Sequence, residues 1–105
     1  MNNKYKAVKV GKFASKKEAR RAGQLQILEK VGQISNLELQ VKYELLPKQM
    51  ADGKVAERAL HYIADFRYTE GGRLIVEDVK GMKTPAYVIK RKLMLFVHNI
   101  RVLET

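Results

Sequence analysis

Cysteine is missing from this 105-residue chain, which removes disulfides, cysteine-ligated zinc frameworks and thiol nucleophiles together and leaves oxygen or histidine ligands for any metal. Acidic residues are scarce beside basic ones: 11 Asp and Glu stand against 21 Lys and Arg, a formal charge of +10 at pH 7. Long apolar runs are missing too. No stretch approaches the about 20 apolar residues of a membrane-spanning helix, and the opening MNNKYKAVKV holds no apolar run ahead of a small-residue cleavage site. The expected location is the cytoplasm, with no membrane partner. There is no internal repeat, low-complexity tract or linker rich in Pro, Gly and Ser, and the length suits one domain with a single core over residues 1–105.

What the chain has in excess is positive charge. With a pI near 9.9, it has the balance of a protein that meets a polyanion, and nucleic acid is the default partner. A solubilising surface, or a structural protein packed among nucleic acid, has the same composition.

The basic opening to Lys12 reads as partly loose. Ser15-Lys16-Lys17-Glu18 has the form of a capping box, and Leu25, Leu28 and Val31 recur at helical spacing until Gly32, which predicts a helix over about 16–31. From Leu37 to Leu45 odd positions are apolar and even ones polar, the pattern of a half-exposed strand. Pro47 and Asp52-Gly53 mark a loop, and ALHYIADFRY predicts a second strand over about 58–68. Gly71-Gly72 turns the chain into a third strand, Arg73 to Lys80. Thr84 can cap and Pro85 suits the first turn of a second helix reaching His98. On that helix Pro85, Ala86, Ile89, Leu93, Phe96 and Val97 share the side expected to be buried, while Tyr87, Arg91, Met94 and His98 are expected to face away. Ile100 to Leu103 can form a last strand. The fold class is α/β, more closely an α+β mixed sheet in the order α-β-β-β-α-β, with room for a parallel pair at the end.

Gly71-Gly72 suits a two-residue hairpin loop of the primed type. In that register Glu70 faces Arg73, Tyr68 meets Ile75, Phe66 meets Glu77 and Asp65 meets Asp78, with Lys80 farther along the same side. Opposed carboxylates are destabilising unless a cation intervenes. Mg²⁺ is hard, prefers oxygen, and is often held by one or two carboxylates with water and substrate phosphate. Lys80 then has two open roles: orienting or deprotonating an attacking water, or stabilising charge on a phosphorane-like transition state. A sheet whose polar ends simply meet solvent is the plain alternative, weakened because Asp65 lies within an apolar and aromatic run.

Strand-borne IADFRY followed by VEDVKG, preceded by a helix with an acidic residue and followed by another helix, resembles the PD-(D/E)XK nuclease superfamily over nearly the whole chain. Ala64 stands in place of the motif's Pro, a departure that touches no ligand. The resemblance implies a restriction-endonuclease-like core, Mg²⁺ (or Mn²⁺) held by Asp65 and Asp78, and catalytic assistance by Lys80. It also implies that Glu18 completes the metal and catalytic set. Helix-end chemistry explains Glu18 equally well, and both roles can coexist. The chain is similar to small phage-encoded nucleases and, in size and element order, to archaeal-type Holliday junction resolvases. That likeness implies a Mg²⁺-dependent DNA endonuclease acting on branched DNA in phage-type recombination or repair, in a bacterial host or phage-infected cell. It also implies a two-fold homodimer, because a junction is cut on two strands.

Lys16, Lys17, Arg20 and Arg21 on the first helix, with Lys83, Tyr87, Lys90 and Arg91 near the second, are candidates for contact with the DNA backbone. A solvated helix face is the alternative. Gln40 can approach the metal face, Glu77 is expected to pair with a basic neighbour, and His98 shows no partner. A non-catalytic basic nucleic-acid-binding protein remains the second reading of the whole chain, and a nuclease acting on linear ends or RNA a third.

Overall fold

The computed structural model describes Phe13 and residues 15–105; the segment up to Lys12, expected to be loose, lies outside the described residues. Ser15 Oγ accepts the Glu18 backbone N–H at 3.1 Å, and helix α1 runs Lys16–Lys30 with Val31 as its C-cap. Then follow strands β1 (Ser35–Leu46), β2 (Gln49–Ala51), β3 (Lys54–Glu57), β4 (Leu60–Glu70) and β5 (Arg73–Asp78), helix α2 (Pro85–His98) and strand β6 (Leu103–Glu104). Four strands form one mixed sheet in the order β1-β4-β5-β6. Its β5–β6 pair is parallel and its other pairs antiparallel. The fold is therefore mixed α+β, with a core order of α-β-β-β-α-β. No helix among the described residues is long and apolar enough to cross a membrane.

Gly71 and Gly72 both have positive φ, 58° and 77°, the backbone that a two-residue turn matching the strand twist requires. The register follows as expected, from Glu70 opposite Arg73 to Phe66 opposite Glu77. Two stretches differ from expectation. Residues 47–58 are not simply a loop: β2 and β3 pair as a separate exposed ribbon, because Asp52 (φ 52°) and Gly53 (φ 74°) build a second tight turn. The last strand is shorter and later than predicted, since only Leu103 and Glu104 reach β5.

The sheet is covered on both faces. Ile75 and Glu77 meet α1, through the core of Phe13, Ala22, Leu25, Phe66 and Tyr68 and through Arg21. Val76, between them, belongs to the core formed with α2: Leu45, Tyr62, Ala64, Tyr87, Met94 and Val102. Neighbouring residues of a strand point to opposite faces, so the two helices lie on opposite sides of β5. Along β4, however, Tyr62 and Ala64 pack with α2 while Phe66 and Tyr68 pack with α1. Residues of one parity keep one face in a regular pleat, so the pleat of β4 switches at Asp65. Opposite that point Gln40 has φ 54°, and no Gln40–Asp65 pair stands between Leu39–Phe66 and Val41–Ala64. Positive φ is uncommon outside glycine and costs conformational energy.

Helix α2 is rotated from the expected orientation. Tyr87 and Met94, expected outside, are buried at 7% and 0% exposure, while Ile89, Phe96 and Val97, expected inside, are 57%, 87% and 44% exposed. Apolar residues lie on both sides of this helix. The polar anchors of the Tyr87 side select the buried one: Tyr87 Oη donates to Glu104 at 2.6 Å and Arg91 Nη1 donates to the same carboxylate at 2.9 Å. His98, also expected to be solvent-facing and unpartnered, has Nε2 2.7 Å from the Glu44 carbonyl oxygen and stacks obliquely beside Tyr43.

Candidate active site

The β4–β5 ladder stops at Phe66–Glu77, one step before the expected Asp65–Asp78 pair. β5 drifts away there, and Asp65 uses its side chain instead, Oδ2 accepting the Val79 backbone N–H at 2.9 Å. Burial, followed by the Asp78 carboxyl, pushes Asp65 up to about 7, against the pull of the Val79 N–H; the charges of Asp78 and Glu18 push the same way. The predicted Asp65–Asp78 strand pair is thus not formed; the two residues stand at the end of the ladder, on a strand whose pleat switches at Asp65.

Asp78 is 2% exposed and held from two sides. The Tyr62 hydroxyl donates to Oδ2, and Lys80 Nζ lies 3.0 Å from Oδ1. Burial and the Asp78 carboxylate raise the Tyr62 phenol far above its ordinary range, so Tyr62 serves as a proton donor. Lys80 Nζ also sits 4.1 Å from the centre of the Tyr87 ring, an attractive placement for an ammonium. Tyr87 is fixed in turn by Glu104, which pairs with Lys83 at 3.0 Å and Arg91 at 2.9 Å. Hydrogen bonds from Tyr87, Lys83 and Arg91 hold Glu104 down at about 2.

Glu18 is buried at 4% exposure and reaches the site from α1, its Oε2 accepting from Gln40 Nε2 at 2.9 Å. Its backbone N–H meanwhile completes the Ser15 cap. Glu77 pairs with a basic neighbour, as expected. Arg21 grips it with Nε at 2.7 Å and Nη2 at 3.1 Å, Tyr68 Oη donates at 2.6 Å, and Thr105 Oγ1 donates at 2.9 Å. Burial favours the neutral acid, but the bonds from Arg21, Tyr68 and Thr105 outweigh it and hold Glu77 below the usual carboxylate range.

The basic candidates divide accordingly. Arg21, Lys83 and Arg91 are engaged with carboxylates, and Tyr87 is buried against Glu104. Lys17 Nζ donates to the carbonyls of Lys80 and Thr105 at 3.0 and 3.2 Å, tying α1 to the end of the sheet. Lys16 and Arg20 are exposed and Lys90 half-buried, and they have no ion-pair partner among the described residues. Sequence reasoning missed Tyr62 and Glu104. Tyr62 stands an odd number of residues from Asp65, which in a regular pleat puts it on the other face, and Glu104 becomes part of the site only through the parallel β5–β6 pair. The same-parity rule misleads at just this switch.

Half-buried Asp65 and buried Asp78 are neighbouring oxygen-donor carboxylates whose mutual repulsion a divalent cation would relieve, which fits a hard ion held by two carboxylates, water and phosphate. Among the described residues, no three His, Asp or Glu side chains are gathered into one metal-holding group. Glu18 therefore stands beside the pair rather than within it. No curated protein and no solved structure matches the chain significantly. Residues 2–103 match the model of the family described as Protein of unknown function (DUF1064), and the chain belongs to that family.

Proposed function

We propose that the chain is a Mg²⁺-dependent endonuclease, also served by Mn²⁺, that hydrolyses phosphodiester bonds of DNA, with branched DNA as substrate and a homodimer as the working form. The carrying observation is that half-buried Asp65, held through Oδ2 by the Val79 N–H, and buried Asp78, with Lys80 3.0 Å from its Oδ1, stand at the same end of the β4–β5 ladder. Structure alone gives no reason to bury two like charges together, since a hydrophobic pair there would be more stable. Asp65 and Asp78 would hold the cation, which when bound supplies Lewis-acid stabilisation of a phosphoryl oxygen and a more acidic water.

The remaining chemistry belongs to the chain. Tyr62 holds the Asp78 carboxylate in one orientation by donating to Oδ2. Lys80, an ammonium with three donors, is positioned by Asp78 and the Tyr87 face to meet a non-bridging phosphate oxygen as charge develops there. Exposed Lys16 and Arg20 and half-buried Lys90 supply backbone phosphate contacts, consistent with the net charge of +10. The test is a cleavage panel in Mg²⁺ of four-way junction, flap, duplex and single-stranded DNA, and RNA, with wild type and Asp78→Asn. Wild type should cut a branched DNA, and Asp78→Asn should bind it in Ca²⁺ without cutting in Mg²⁺. Full cleavage by the variant overturns the reading. No cleavage of any form, with no stabilisation by Mg²⁺ or Mn²⁺, would favour a non-catalytic basic nucleic-acid-binding protein.

A further inference from the structure

Lys80 stands outside regular structure. β5 ends at Asp78, and residues 81–84 form an exposed loop ahead of α2, yet Lys80 is held at both ends. Its backbone N–H donates to the Thr105 carbonyl at 3.1 Å, and its own carbonyl accepts from Lys17 Nζ at 3.0 Å. Its ammonium lies 3.0 Å from Asp78 Oδ1 and 4.1 Å from the centre of the Tyr87 ring. Ordering a lysine side chain costs about 1.5–2 kcal/mol of rotamer entropy, so a loop lysine keeps one position only where its surroundings hold it from several sides.

The hold on its backbone comes from α1. Lys17 and Arg21 stand one turn apart on one side of that helix, and both reach the strand end that carries the site. Arg21 grips Glu77, just before Asp78, and Lys17 holds the Lys80 carbonyl just after it. Lys17 Nζ also donates to the Thr105 carbonyl at 3.2 Å, the oxygen that takes the Lys80 N–H. Thr105 in turn donates its N–H to the Asp78 carbonyl and its hydroxyl to Glu77. Lys16 and Arg20, the other pair one turn apart, are exposed and without an ion-pair partner among the described residues. The basic start of α1 is thus two rows, one turned to the site and one to solvent.

We infer that Lys17 is a positioning residue for Lys80 and not a phosphate contact. It pins the backbone from which the Lys80 ammonium reaches Asp78 and the Tyr87 face. Hydrogen bonds from a charged donor are stronger than those between neutral groups, and here one ammonium joins the loop after β5 to the residue after β6. A phosphate contact needs the donors of the ammonium turned to solvent, whereas two of the three on Lys17 are engaged with carbonyls. The inference rests on the nuclease reading for what Lys80 does, though not for how Lys80 is held.

The test compares Lys17→Met with Lys16→Met in the full chain, labelled at lysine for NMR. Both side chains are exposed, and melting curves verify that the variants are folded. In the wild type the Tyr87 ring should shift the Lys80 ε-methylene protons upfield. Lys17→Met should move them towards the value of a solvated lysine and hasten exchange of the Lys80 amide hydrogen by about tenfold. On branched DNA it should lower kcat by at least about tenfold, since a misplacement of about 1 Å can cost about a hundredfold, with KM and the salt dependence of binding unchanged. Lys16→Met should instead raise KM, lessen the slope of log K against log salt by about 0.9, and leave the Lys80 signals in place. The inference is overturned if Lys17→Met leaves the Lys80 signals and amide exchange of the wild type, if it raises KM and lessens the salt slope as Lys16→Met does, or if the signals move while kcat does not. A wild type that cleaves nothing overturns the nuclease reading alone: moved Lys80 signals then support the pinning by Lys17, and unmoved ones overturn it.

Discussion

The Tyr62 hydroxyl donates a hydrogen bond to Oδ2 of Asp78, and both residues are buried. Partners that orient a metal-binding carboxylate in this way are worth about 10–100-fold in metal affinity or activity. Tyr62→Phe keeps the ring in its core and removes only the donor. Its Mg²⁺ requirement for cleavage should rise by about that factor while the melting temperature stays near wild type. An unchanged Mg²⁺ dependence would show that Tyr62 merely fills space.

Asp65→Asn retains an oxygen for the Val79 N–H and removes the negative charge that the Asp78 carboxylate opposes. In EDTA near pH 8 the variant should therefore melt higher than wild type, by about 4–8 °C for each kcal/mol gained in a domain of this size. On the proposed nuclease reading, Mg²⁺ should stabilise the wild type, and the same change should erase both that stabilisation and cleavage. Differential scanning calorimetry with and without Mg²⁺ reads both. A lower melting temperature in EDTA would mean that the two carboxylates are not in conflict.

Arg21→Met strands Glu77, whose side chain has 0% exposure. Removing one partner of a buried pair costs about 3–5 kcal/mol, measured by urea denaturation. Arg21→Met/Glu77→Gln should recover part of the loss, because a neutral amide still accepts from Tyr68 through its oxygen and donates to the Thr105 hydroxyl through its NH2. No loss in the single variant would contradict the buried pair.

The orientation of α2 yields a paired test. Met94→Ala should cost about 2–5 kcal/mol as a core truncation, whereas Phe96→Ser, at a side chain 87% exposed, should stay within about 0.5 kcal/mol. The reverse order in urea melts would restore the helix face suggested by its sequence pattern.

Glu104 supplies the pH dependence. Its folded value of about 2 lies below the about 4.3 of an unfolded Glu. Its contribution to stability is thus present above about pH 4 and is lost as the pH falls towards 2. Glu104→Gln should flatten the fall of stability between about pH 5 and pH 2 in denaturation curves taken at each pH. An unaltered slope would show that Lys83, Arg91 and Tyr87 gain nothing from its charge.

Much of the frame is legible in local chemistry. Ser15 and Thr84 announce two helices because a side-chain oxygen near a free backbone N–H is a local requirement. Gly71-Gly72 dictates the β4–β5 register because few backbones other than glycine close that turn. That register brings Asp65 and Asp78 to the same end of the hairpin, although the ladder stops one pair short of joining them. The buried face of α2 was not legible, since Ile89, Phe96 and Val97 outweigh Tyr87 and Met94 in hydrophobicity. What selects between the two faces is Glu104, brought alongside by β6.

The sequence by itself determined both helices, the hairpin register, the excess of positive charge and the placing of two carboxylates on neighbouring strands, all consequences of neighbours within a few residues or across one turn. Only the tertiary structure decided how those carboxylates meet. The pleat switch at Asp65, the left-handed Gln40 opposite it, and the approach of Tyr62 and Lys80 to Asp78 depend on two helices covering opposite faces of one sheet. No alternation of residue types encodes that relation, because it arises between segments far apart in the chain.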